Sequence, residues 1–169
     1  MIQIIRGVLS VNQCKEIICF CEAIDRNESI SAFSGAVIAR HFQNPRGWFH
    51  IFRMTPEESQ EYCRSIEQAI PGFVVTSFRP MLYEAGAWLR NHLDSPSNEY
   101  EGESTHSLNI MLVDPSSFDG GHFLIGNDQR RYIELAQGDG IMYDYSQLHE
   151  VKRISKGKRW IINVRLKNA

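Results

Sequence analysis

Among its 169 residues the chain has no Cys-x-x-Cys pair, no internal repeat and no low-complexity tract, and only 6 prolines. Together with a hydrophobic content of 43%, this excludes collagen-like, mucin-like, coiled-coil and disordered classes. No stretch approaches the roughly 18–20 apolar residues that cross a bilayer. The apolar run in Met1–Leu9 is too short for a secretion signal and has no charged leader, so no membrane partner is expected. Lys and Arg number 18 against 20 Asp and Glu, for a formal net charge of −2. The basic excess of a nucleic-acid binder is missing, and an obligate nucleic-acid partner is not expected. Cys14, Cys19, Cys21 and Cys63 read as reduced small hydrophobes of a cytoplasmic protein, with a zinc site as the lesser alternative.

The length suits one domain that can bury about 70% of its unfolded surface without disulfide or metal. Ile2–Val8 reads as a short strand. Ser10 is a plausible N-cap for a helix over Val11–Ile24, where Val11, Cys14, Ile17, Ile18 and Cys21 recur at helical spacing. Met54–Ile70 predicts a second helix, with Thr55 at the cap, Pro56 at the first position and Glu57 and Glu58 at the positive dipole end. Pro71-Gly72 stops it. Asn27–Phe52, with Ser, Gly and aromatic residues, reads as loop and short strands.

From Phe73 the texture changes to short strands split by turns. The strands are expected at Val74–Tyr83, Ser107–Val113, His122–Ile125, Tyr132–Leu135, Gly140–Tyr143, Glu150–Ile154 and Arg159–Leu166. Many short strands at this spacing predict a β-sandwich or barrel. The whole reads as an α+β domain with the helices laid on the outside of one sheet. A 1–72 helical support region would precede a 73–169 core.

Of six histidines, His41, His50 and His106 read as structural or solvent-facing. His92 differs because Asp94 stands two positions on. In an extended segment such residues share a face, while Leu93 points away. Imidazole plus carboxylate is two-thirds of the 2-His-1-carboxylate triad of non-haem Fe(II) oxygenases. His149 lies far downstream, and Arg159 stands ten positions beyond it. A hairpin pairing Glu150–Ile154 with Arg159–Asn163 around a Ser155–Lys158 turn would bring Arg159 beside the metal pocket. Its guanidinium would grip a carboxylate through two bonds. Arg165 is a fallback for that role. On the last strand Trp160, Ile162, Val164 and Leu166 share the face opposite Arg159 and read as core.

At these residues Tyr83–Val164 resembles the core of the Fe(II)/2-oxoglutarate-dependent dioxygenase superfamily, in its prolyl 4-hydroxylase-like branch. The matching pieces are Tyr83-Glu84-Ala85-Gly86 before His92-Leu93-Asp94, then Gly120-Gly121, Gly138-Asp139-Gly140, His149-Glu150-Val151 and Gly157-Lys158-Arg159-Trp160. The resemblance implies a double-stranded β-helix (jelly roll), with Fe(II) held by His92, Asp94 and His149. It also implies that Arg159 pairs with the distal carboxylate of 2-oxoglutarate and that Tyr83 donates a hydrogen bond to it. O2 would be the oxidant, with ascorbate a candidate addition. The expected reaction is hydroxylation of an unactivated C–H bond with release of succinate and CO2. Halogenation is disfavoured because Asp94 is present where a halogenating relative has a small residue. The favoured substrate is a peptidyl or protein side chain such as proline. A free amino acid or small metabolite follows, and nucleobase demethylation is weaker. A non-catalytic jelly-roll module that binds metal or serves as a scaffold is the rival from another class.

Two departures from the family pattern stand out. Ser107–Val113 lacks the tyrosines often found there, which leaves a second 2-oxoglutarate contact unassigned. His122-Phe123 follows the diglycine, and either His122 faces substrate or it is an ordinary exposed histidine. Trp88 is a candidate wall of the active-site entrance, and Ser95–Glu103 a loop that either closes over substrate or is solvated filler.

Overall fold

Two helices begin where capping side chains stand. The computed structural model describes residues 1–26, 39–40, 47–52, 54–94 and 104–169. The expectations for 27–38 and 41–46, His41 included, and for the 95–103 loop lie outside them. Strand β1 (Ile2–Ile5) leads into helix α1 (Val11–Arg26). Ser10 and Gln13 cap this helix reciprocally, each side chain bonding the other's backbone N–H at 3.2 and 2.9 Å. Cys14, Ile17 and Cys21 are fully buried along one stripe, whereas Val11 at its start is exposed. After β2 (Ala39–Arg40), β3 (Gly47–Trp48) and β4 (His50–Ile51) comes helix α2 (Pro56–Ala69). Thr55 caps it in a capping box with Glu58, and Pro56 opens the first turn.

The remaining strands are β5 (Phe73–Glu84), β6 (Trp88–His92), β7 (His106–Met111), β8 (Phe118–Gly120), β9 (Phe123–Ile125), β10 (Arg131–Ile133), β11 (Gly140–Asp144), β12 (His149–Val151) and β13 (Ile154–Asn168). Among the described residues they form two sheets. The major sheet is eight-stranded, in the order β1-β11-β7-β13-β5-β4-β2, with β8 paired to β13 off this path. The minor sheet runs β10-β9-β12-β6-β3. Every pairing is antiparallel. The two sheets and two helices give the expected α+β jelly roll.

Alternation along the major sheet divides the core in two. Trp160, Ile162, Val164 and Leu166 of β13 join Leu108 and Ile110 of β7 and Phe78 and Leu82 of β5 on the outer face. That face packs against Cys14, Ile17 and Cys21 of α1 and Ile66 of α2, as expected for Trp160, whose ring also lies tilted against Phe52 at 5.2 Å. The inner face carries Met81, Tyr83, Met111, Ile141, Tyr143 and Ile161 against Phe123, Ile125 and Val151 of the minor sheet. Burial pushes the thiols of Cys14 and Cys21 up to about 11 and about 12, so both are inert; all four cysteines are free. No helix among the described residues is long and apolar enough to cross a membrane.

Two expectations need correction. Ser155–Lys158 is not a turn but the opening of the long strand β13, where it pairs with β8 and a register shift separates Ile154 from Lys156. Its Ser and Gly residues serve a bulge rather than a reversal. Nor does β12 form a hairpin with β13. β12 pairs with β6 and β9, whereas β13 pairs with β5 and β7. Lys152 and Arg153 carry the chain from one sheet to the other, held by Lys152 N–H to the His122 carbonyl (3.0 Å) and Ile154 N–H to the Ala87 carbonyl (2.9 Å).

Candidate active site

His92 ends β6 and His149 begins β12, and the two face each other directly across this ladder. Asp94 stands just past β6, and Leu93 between them is 47% exposed, as the alternation requires. The three side chains converge: one ligand atom from each lies within 4.8 Å of the others. His92 Nε2 is 3.6 Å from Asp94 Oδ1, and His149 Nε2 is 3.7 Å from Oδ2. Both imidazoles are aimed by the backbone. Nδ1 of His92 lies 2.8 Å from the Arg90 carbonyl and Nδ1 of His149 lies 3.0 Å from that of Gln147. With Nδ1–H donating there, each Nε2 presents a lone pair to the centre, the tautomer a metal ligand needs. Ligand atoms at right angles, each about 2.1 Å from a metal, lie about 3 Å apart. The observed spacings run from 3.6 to 4.8 Å, so the side chains would have to draw together around an ion.

The electrostatics keep His149 and Asp94 ready to bind a cation. Burial pushes the His149 imidazole down to about 4, with His92 and Arg165 adding to the effect and Asp94 opposing it, so the ring is neutral near pH 7. Burial alone would raise the Asp94 carboxyl. The neighbouring His92 side chain and the charge of Arg165 overcome it and hold the acid well below its usual range. Burial, then the Asp94 charge, raise the Tyr143 phenol well above its usual value, which keeps the hydroxyl protonated.

The triad opens into a cleft of about 910 Å³, solvent at its mouth included. Phe49, Ile51, Met81, Leu89 and Val151 give it apolar walls. A polar chain crosses its floor over four adjacent strands. Arg79 donates to Asn163 Oδ1 (2.9 Å), Asn163 to Asn109 Oδ1 (2.8 Å), and Asn109 to the Tyr143 hydroxyl (3.0 Å). Tyr143 in turn donates toward Asp94 Oδ2 at 3.3 Å and lies 3.3 Å from His149 Nε2. Sequence reasoning gave Tyr143, Asn109 and Ser107 no role. The available signal was parity: Tyr143 shares a face with Ile141, and Ser107 and Asn109 point opposite the apolar Leu108 and Ile110.

Arg159 stands on the major sheet rather than on a hairpin, and it does not line the main cleft. It lines a second space of about 330 Å³, open solvent included, with Gly120, Gly121, Tyr132 and Leu135, and Phe123 lines both spaces. Its guanidinium lies 5.4 Å over the Tyr83 ring, and Tyr83 also lines the main cleft. Arg159 is 3% exposed, and its Nε and Nη1 have no hydrogen-bond partner. A buried cation with two idle donors fits a bound carboxylate. Gly121 makes room for it: a Cβ there would lie 2.1 Å from Ile154 Cδ1 and 3.0 Å from Arg159 Cδ, at φ +63°.

The other candidates fall elsewhere. Arg165 is not an anchor for an oxoacid, because both its terminal nitrogens are on Asp94. His122 is exposed and stands edge-on to Tyr132 at 4.8 Å, outside the cleft. On β6 Leu89 and His92 line the cleft, and Trp88 does not. His50 is half-buried beside Glu84 at 3.3 Å, and His106 packs edge-on against Phe73.

A family model described as the 2OG-Fe(II) oxygenase superfamily matches residues 78–166, more than half of the chain. A PKHD-type hydroxylase of Methylobacterium nodulans is 31% identical over 84 residues, covering 46% of this chain and 37% of that one. A PKHD-type hydroxylase of Pseudomonas putida is 25% identical over 161 residues, covering 86% and 70%. The chain thus spans little more than a third of the first relative and about two thirds of the second. Among solved structures, a prolyl-4-hydroxylase of Pseudomonas putida superposes with a TM-score of 0.71 at 17% identity, over 99% of this chain and 92% of that one. The fold is therefore shared over the full length. Since the matched segment runs from β5 to β13 and takes in His92, Asp94, His149 and Arg159, the chain belongs to the 2OG-Fe(II) oxygenase superfamily.

Proposed function

We propose that this chain is an Fe(II)- and 2-oxoglutarate-dependent hydroxylase of unactivated C–H bonds, acting first on a peptidyl or protein side chain such as proline. The observation that carries this reading is the convergence of His92, Asp94 and His149 within 4.8 Å, on two strands that are far apart along the chain. With iron bound, 2-oxoglutarate and O2 supply the oxidising power, yielding succinate and CO2 and placing one oxygen atom in the substrate.

The chain's own residues provide the setting. His92, Asp94 and His149 would hold the iron on one side and leave the cleft side open. Arg159 would bind the distal carboxylate of 2-oxoglutarate through the donors that lack partners, with Tyr83 beside it. The apolar walls would exclude water around the reacting C–H bond. The similar proteins are named as hydroxylases, and the prolyl-4-hydroxylase among them favours a proline-like substrate. A free amino acid or small metabolite is the second substrate reading. The four free cysteines support a reducing, cytoplasmic setting.

The test is anaerobic mixing of the protein with Fe(II) and 2-oxoglutarate, followed by oxygen and a panel of peptides and amino acids. A weak visible charge-transfer band is expected, then oxygen-dependent succinate and a product heavier by one oxygen atom. No band would leave the scaffold reading in its place. His149→Ala should abolish both signals, and turnover that survived it would refute the ligand assignment.

A further inference from the structure

A carboxylate has about four lone-pair directions, two on each oxygen. Most of those on Asp94 are already taken by the protein. Arg165 approaches it with both terminal nitrogens, Nη1 at 2.6 Å from Oδ2 and Nη2 at 3.0 Å from Oδ1. Ser107 Oγ donates to Oδ2 at 2.7 Å and itself accepts a hydrogen bond from Arg165 Nη1. The Tyr143 hydroxyl adds a third donor to Oδ2 at 3.3 Å. Oδ2 is therefore saturated, while Oδ1 has one donor and keeps one direction free, on the side of His92. The pair is desolvated, with side chains 8% and 7% exposed. The donors all come from the major sheet (β13, β7, β11), whereas Asp94 follows a strand of the minor sheet.

We propose that Arg165, with Ser107, is a positioning residue that fixes the Asp94 carboxylate so that it meets the iron through Oδ1 alone. The inference rests on the iron reading above and adds to it a reason why three coordination positions stay open. Three monodentate protein ligands on a six-coordinate metal leave three positions for a chelating oxoacid and O2. A carboxylate free to swing and chelate would take a fourth. Arg165 prevents the swing by holding both oxygens in one plane, the fork geometry that a lysine ammonium lacks.

Two effects of removing Arg165 oppose each other, which makes the proposal decidable. Charge alone predicts tighter metal binding, because a cation next to the site is lost. Positioning predicts weaker binding, on the scale of 10–100-fold typical for groups that orient a metal ligand. The experiment is anaerobic titration of the full chain with Co(II), read by dissociation constant and visible spectrum, for wild type, Arg165→Met, Arg165→Lys, Ser107→Ala and His149→Ala. Arg165→Met should weaken Co(II) about 10–100-fold and alter the Co(II) bands. Arg165→Lys should recover part of the affinity, and Ser107→Ala, which keeps the charge, should weaken binding by a smaller factor. Equal or tighter binding with an unchanged spectrum in Arg165→Met would overturn the proposal. If that variant does not fold, an unchanged affinity in Ser107→Ala overturns it instead. His149→Ala separates the two levels: if it binds Co(II) like wild type, or wild type binds none, the iron reading falls and this inference with it.

Discussion

His149 shows how much one buried imidazole can set. Its ordinary value of 6.5 is pushed down to about 4 in the folded, metal-free protein, chiefly by burial. Between those values the unfolded chain takes up a proton that the folded chain refuses, so stability falls as pH drops from about 6.5 to 4, by about 3 kcal/mol at most. His106, lowered by burial too, acts in the same direction. Asp94 adds to the loss at the acid end of that window, because the unfolded carboxyl begins to take up a proton there while the depressed native one stays ionised. Urea midpoints at pH 7 and pH 5 should show the loss, and His149→Gln should flatten it. Arg159→Ala should raise the 2-oxoglutarate requirement about 10- to 100-fold, the worth of charge-assisted bonds in a buried site, read by titrating 2-oxoglutarate against succinate release. The convergence of His92, Asp94 and His149 was legible because their types and spacing carry chemistry. Tyr143, Ser107, Asn109 and Asn163 were not: each is an ordinary polar residue in a strand, and only the neighbouring strand tells what it touches.

At the level of elements, alternation told which face each residue occupies but not which strand lies beside it. The face assignment along β13 holds from Arg159 to Leu166, with the apolar set under the helices. The hairpin expected before it fails because a two-residue link crosses between sheets, and period-two patterning is silent about partners. Helices were easier to read, since Ser10, Thr55 and Pro56 act locally. The diglycine belongs to this scale. Gly121 lets β13 and the Arg159 side chain pass in contact with the turn that leads into β9. Gly121→Ala should cost about 1–3 kcal/mol from overpacking and the positive φ. It should also raise the 2-oxoglutarate requirement by displacing Arg159. Chemical denaturation and oxoacid titration check the two effects separately.

In the molecule as a whole, the two sheets divide the work. The minor sheet contributes His92 and His149, with Asp94 just beyond its strand. The major sheet contributes Arg165 and Ser107, which hold Asp94, together with Tyr143 and the polar floor, and it carries Arg159 in the neighbouring cavity. Metal bound to the triad stabilises only the folded arrangement, so Co(II) at a hundred times its dissociation constant should add about 2.7 kcal/mol. For a chain of this size that raises the unfolding temperature by about 5–10 °C. Chelation should reverse the rise and His149→Ala should abolish it, both visible in a thermal melt. Length, charge and strand count made the α+β sandwich legible; the strand order was not, because it depends on long-range pairing. That order makes β13 a gauge. Arg159 and Arg165 point the same way from one continuous strand, six positions and about 20 Å of backbone apart. Inserting or deleting a single residue between them would turn one guanidinium away from the site, and a change of two would restore its facing but move it by about 7 Å. Spacing between the two cations is thus available only in coarse steps. On the proposed role of Arg159, preference among diacids differing by one methylene would be tuned through side chains such as position 159, not through the backbone.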